Sequence, residues 1–155
     1  MICYLTTLDC HQLTNIVRLC GFIAPVLDTT YFISSQLPQP YKGSPDLTSQ
    51  LLAWQLGNTY LLLGLLGVFI LNTTTEPKVV HAYIWALWLC DIGHVGFTLY
   101  AMGWEQSMAV GKWNPVVWGN VGATSFFFFM RTLYLLGIFG PDRIPKAQAK
   151  THKLK

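Results

Sequence analysis

Apolar residues dominate four stretches of the chain: Ile16 to Ser35, Leu51 to Leu71, Val79 to Met102 and Val116 to Phe139. A bilayer core is crossed by about 20 mostly apolar residues in a helix, so the pattern predicts four transmembrane spans. The connectors between them are polar and rich in turn formers. Gln36 to Gln50 carries Pro38, Pro40, Gly43 and Pro45, which break helices and favour an exposed loop long enough to fold back as a lid. Asn72 to Lys78 is short and holds Pro77, so spans two and three are expected as an antiparallel hairpin. Gly103 to Pro115 reads as a polar and aromatic loop. The expected fold is all-α, an integral membrane four-helix bundle over residues 16–140, preceded by a cytosolic segment 1–15 and followed by a basic cytosolic tail 141–155.

Composition agrees with this. Hydrophobic residues make up 52% and charged residues 11%, against the roughly 25% charge of soluble domains, and no stretch is left over for a soluble domain. The first run could pass for a secretory signal, but no basic cluster leads it and no small-x-small site precedes Gln36, so a retained span is expected. Cys3, Cys10, Cys20 and Cys90 form no CxxC, and two of them lie in spans. Neither a disulfide framework nor a zinc site is expected.

Charge adds an orientation. Arg143, Lys146, Lys150, Lys153 and Lys155 all follow the last span. Four spans place both termini on one side, where Arg18, Lys78 and the tail supply seven basic residues against Lys42 and Lys112 opposite. By the positive-inside rule both termini are cytosolic, and the tail's expected partner is lipid phosphate rather than nucleic acid. The sequon Asn72-Thr73-Thr74 would argue the reverse if glycosylated, but it abuts a span end. Lys153, third from the C-terminus, is placed as in retrieval signals of the endoplasmic reticulum, with His152 where a second lysine is usual. Trp54, Trp104, Trp113 and Trp118 gather at span ends away from the tail, as an aromatic belt does. Ala53 with Gly57, Gly119 with Ala123, and Gly64 and Gly67 offer small surfaces for close helix packing in a compact bundle or a homodimer of it.

The candidate chemistry lies within the spans. Ionisable groups at bilayer depth are costly and normally face the bundle interior or a wet cavity; Asp28 and Asp91 are two, with His94 beside the second. Asp28 and Tyr31, Gln55 and Asn58, and Asp91 and His94 are i,i+3 pairs, each sharing a helix face. Counted at about 1.5 Å per residue, they fall in the half of the bilayer away from the tail, with Glu105 and Asn120 at its border and Trp88 and Thr98 extending the Asp91 stripe. Arg131 falls in the other half, where it is expected to snorkel or cap the bundle. Each polar pair also has a packing explanation, Gln55 and Asn58 as interhelical glue and Asp91 and His94 as a buried lock. No HxxH cluster, DDxxD motif or Gly-rich phosphate loop is present, so no metal and no cofactor is expected. Cofactor-free acid/base work on a lipophilic molecule remains, since carboxyls in unlike surroundings act as acid and base.

Gln55-Leu56-Gly57-Asn58-Thr59-Tyr60-Leu61-Leu62, Asp91-Ile92-Gly93-His94 and Arg131 give the chain, over roughly Pro25 to Pro145, a pattern that resembles the short four-span fungal membrane proteins of a largely uncharacterised domain family. Proteins similar to these occur in polyketide and terpenoid biosynthesis, among them small epoxide hydrolases of aurovertin- and citreoviridin-type polyene pathways. Where that family often has Glu-Pro in the first span, this chain has Ala24-Pro25 and then Asp28. The resemblance implies an enzyme opening an epoxide of a hydrophobic secondary metabolite, as a hydrolase or cyclase. On that expectation Asp91 with His94 is the base and Asp28 the acid, helped by Tyr31 or Tyr60. Gln55 and Asn58 orient the nucleophile, and Trp54 and Trp88 wall the substrate, which enters from lipid. A membrane terpene cyclase and a non-catalytic lipid-binding or adaptor protein are the alternatives.

Overall fold

A computed structural model describes residues 2–39, 43–74 and 76–138, with side chains from Asn15 onward. Every regular element among them is helical. Helix α1 covers Ile2–Leu27, α2 Thr29–Ser34, α3 Leu47–Thr73 and α4 Pro77–Met108. A 3-10 turn at Val110–Lys112 leads to α5 at Pro115–Val117. A π-helical turn at Trp118–Ala123 then joins α5 to α6 at Thr124–Leu135. Both α3 and α4 are long and apolar enough to cross a membrane. Leu62, Phe69, Leu89 and Phe97 stand exposed on their outer faces.

Helix α1 runs antiparallel to α3 over residues 15–25, and glycines make the approach close. A Cβ on Gly57 would lie 2.8 Å from Pro25 Cγ, one on Gly21 2.9 Å from the Tyr60 ring and one on Gly64 3.7 Å from Arg18 Cβ. Of the small surface expected at Ala53, Gly57, Gly64 and Gly67, the three glycines thus face α1. Gly119, by contrast, faces open space, so the Gly119/Ala123 pair does not serve as a second seam.

The second pairing is α4 with α6. Toward the α5 end of this pairing, Met102, Val117 and Val121 form a buried cluster flanked by Val95, Leu99 and Trp113.

Two helix ends differ from the sequence expectation for clear reasons. The first apolar run is not one helix: Asp28, at φ −146° and ψ 88°, breaks it. Pro25 lacks the N–H that would continue the ladder, and Asp28 is a better N-cap than interior residue; its Oδ1 accepts the Tyr31 N–H at 2.8 Å. The loop expected over Gly103 to Pro115 is largely structured. Gly103 takes φ 73°, a left-handed turn open to glycine, and helix resumes to Met108. The Ser107 hydroxyl spans the break, donating to Gly103 O at 2.7 Å. Backbone helix also begins at Ile2 rather than near Ile16. The tail 141–155, Lys42 and the side chains of Cys3 and Cys10 lie outside the described residues.

Helix α3 starts at Leu47 because Asp46 caps it, accepting the Ser49 N–H at 3.1 Å. Hydrogen bonds from the Ser49 side chain and backbone hold the Asp46 carboxyl below its ordinary 3.8. A carboxyl lowered on folding stabilises above its unfolded value, and that contribution is lost as pH falls through the folded one. Asp46→Ala is therefore expected to melt below wild type at neutral pH, with the two melting curves converging as pH is taken well under 3.8.

Candidate functional site

Asp91 projects from the middle of α4 toward α6, and Arg131 meets it there in an ion pair. The side chains are 13% and 6% exposed respectively, so the pair is held away from solvent within an apolar bundle. The Arg131 guanidinium also lies 5.5 Å from the centroid of the Phe127 ring, over its face. Trp88, one turn before Asp91, donates its indole N–H to Thr132 Oγ1 at 2.8 Å and stacks on Phe128 at 5.3 Å. Trp85 completes the aromatic wall, edge-on to Trp88 at 5.2 Å.

Counting along the sequence puts Arg131 in the opposite half of the bundle, snorkelling; the structure instead buries it level with Asp91. At helical rise the Arg131 backbone lies only about 6 Å past the level of Asp91, and its long side chain, tilted back toward the start of α6 as helical side chains are, covers that difference to reach the carboxylate. The same residue displaces His94 as the direct partner of Asp91. His94 stays one turn away on α4, half-buried.

A second polar group adjoins this one. Arg18, 9% exposed, donates from Nη1 to Leu63 O at 3.0 Å and to Tyr83 Oη at 3.1 Å. The charge pattern makes it a basic flank of the first span, yet it enters the bundle midway along α3. Tyr60 is half-buried against Gly21.

The remaining expected residues do not converge on Asp91. Asp28 is exposed and spent on its cap, and Tyr31 is 52% exposed. Trp54 donates to Thr29 Oγ1 at 3.0 Å and stays 45% exposed. Gln55, Asn58 and Glu105 are exposed. Asn120 donates to Gln36 Oε1 at 2.9 Å, and Asn114 donates to Leu37 O at 3.1 Å. Together those bonds tie the segment after α2 to the cap of α5 and to the π-helical turn that follows it. Arg18, Tyr83 and Arg131 are what sequence reasoning missed as site residues. The available signal was the one used for the acids: a cation inside an apolar run is as costly as an anion and demands a partner.

Residues 13–141 match the family model for DUF7704, a domain of unknown function, and the chain belongs to that family. No curated protein and no solved structure matches it.

Proposed function

We propose that this DUF7704 chain is a four-span membrane enzyme, both termini cytosolic, that opens an epoxide on a lipophilic metabolite without a cofactor. The observation that supports it is the buried Asp91–Arg131 pair with His94 on the same face of α4. Charges at such depth are expensive to keep, and a carboxylate held by a guanidinium is a base with fixed orientation. In the reaction Asp91 takes a proton from water as the water oxygen attacks an epoxide carbon. The carbon–oxygen bond breaks, and His94 gives a proton to the oxygen that leaves. His94 replaces Asp28 in the acid role, since the Asp28 carboxylate is committed to the α2 cap. Trp85, Trp88 and Phe128 offer an apolar wall, with entry from lipid between helices.

One observation favours a second reading. The pair bridges α4 and α6 directly, as a lock in a non-catalytic lipid-binding or adaptor protein does. Membranes holding wild type or Asp91→Asn, given a panel of lipophilic epoxides in oxygen-18 water, separate the readings by mass spectrometry. A diol carrying one labelled oxygen, made by wild type alone, is expected. An unlabelled isomer made by wild type alone means an internal nucleophile and a cyclase. No turnover across the panel leaves the lock.

A further inference from the structure

Helix α3 has two unlike sides. Gly57, Gly64 and Gly67 look toward α1. Roughly 150° around the helix, at 3.6 residues per turn, lie Leu51, Gln55, Asn58, Leu62, Leu65 and Phe69, and all six are exposed. Two of them are amides on the outer surface of a helix long and apolar enough to cross a membrane. Asn58 sits inside the apolar run that begins at Leu51, about 10 Å deep at helical rise. Water satisfies an exposed amide at a soluble surface, whereas hydrocarbon offers it no hydrogen bond and makes its exposure strongly unfavourable. This face therefore calls for a polar partner at the depth of Gln55 and Asn58.

The spacing of the six residues says what fits. Steps of four, three, four, three and four residues are those of a left-handed coiled-coil seam, the packing most common between membrane helices. An amide carries both donor and acceptor, so an identical face opposite answers each one: Gln55 meets Gln55 of the second copy, and Asn58 meets its Asn58. Copies inserted with the same orientation pair in parallel, which keeps like residues level about a two-fold axis along the membrane normal. Helix α3 holds no charged residue to repel its twin across that axis. A polar residue in such a seam also fixes its register.

We propose that the outer face of α3 from Leu51 to Phe69 is where two copies of this chain pair in the membrane, with Gln55 and Asn58 hydrogen-bonded across the two-fold axis. The inference stands apart from the epoxide reading, because Asp91, His94 and Arg131 lie on α4 and α6 and take no part in the pairing.

Fluorescence energy transfer between donor- and acceptor-labelled copies of the full chain, diluted stepwise with lipid in phosphatidylcholine liposomes, tests it. Wild type is expected to follow a monomer–dimer curve. Gln55→Leu/Asn58→Leu places apolar side chains at exposed positions of a membrane helix, so it is expected to stay folded while its dimer weakens on the order of tenfold, the worth of a few interhelical amide bonds in a bilayer. Leu56→Ala, exposed on another side of α3, is expected to leave the wild-type curve unchanged. Transfer no greater than random proximity at every dilution gives the face to lipid or to a different protein and overturns the proposal. A curve that requires more than two copies overturns the two-fold pairing. A double variant that pairs as tightly as wild type, or a Leu56→Ala variant that weakens as much as the double variant, overturns the location.

Discussion

Asp91→Leu or Arg131→Leu alone is expected to lower unfolding free energy by about 3–5 kcal/mol, the usual cost of stranding one member of a buried ion pair. The double variant Asp91→Leu/Arg131→Leu is expected to recover most of that loss. The reason is an asymmetry in how the pair is held. Each charge is desolvated, with 13% and 6% of its side chain exposed, and the partner's charge is what compensates. Removing one side leaves the other buried beside Phe127, Trp88 and Phe128, whereas two leucines fit that apolar lining. Denaturant titrations in micelles read all three variants and close the double-mutant cycle. Additive losses in the double variant would mean that the two groups do not act as a pair.

The second large effect is at the α1–α3 seam. Gly57→Leu is expected to prevent the close approach of these helices, and Gly57→Ala to cost about 1–3 kcal/mol, as overpacking does. A Cβ there meets Pro25 Cγ at 2.8 Å and Phe22 O at 3.4 Å. Neither can swing aside: one belongs to a ring and the other to helix backbone. Crosslinking gives a direct reading. The 3.7 Å between Arg18 Cβ and a Cβ on Gly64 suits a disulfide, so Arg18→Cys/Gly64→Cys is expected to oxidise readily. Adding Gly57→Leu should abolish that crosslink. Efficient crosslinking in the presence of Gly57→Leu would show that the seam does not depend on glycine.

Helical content and the seam are readable in the sequence because both rest on local pattern. Apolar runs near bilayer length give helices, and Ala53, Gly57, Gly64 and Gly67 repeat on one side of α3. What the sequence hides depends on a backbone break and on how far side chains reach. Asp28 has the look of an intramembrane acid as long as the break after Pro25 is not anticipated, and a cap uses the same carboxylate that a site would. Arg131 falls in the wrong half when its backbone position alone is counted, because the count leaves out the reach of a long side chain back along its helix to Asp91. Asp91 stands out in the sequence as a buried acid, but its partner lies 40 residues away on α6, beyond any i,i+3 or i,i+4 rule. Gln55 and Asn58 share the sequence signature of helix glue and are exposed on α3; side-chain polarity alone does not say which face of a span points inward.

The central claim is that Asp91 does chemistry as well as holding α4 to α6. It is tested most directly by turnover of lipophilic epoxides in oxygen-18 water by Asp91→Leu/Arg131→Leu, the variant expected to keep its fold. A folded protein that forms no labelled diol, beside a wild type that does, is the expected result. A folded double variant that turns over epoxide at the wild-type rate would contradict the account and leave the pair as a structural lock.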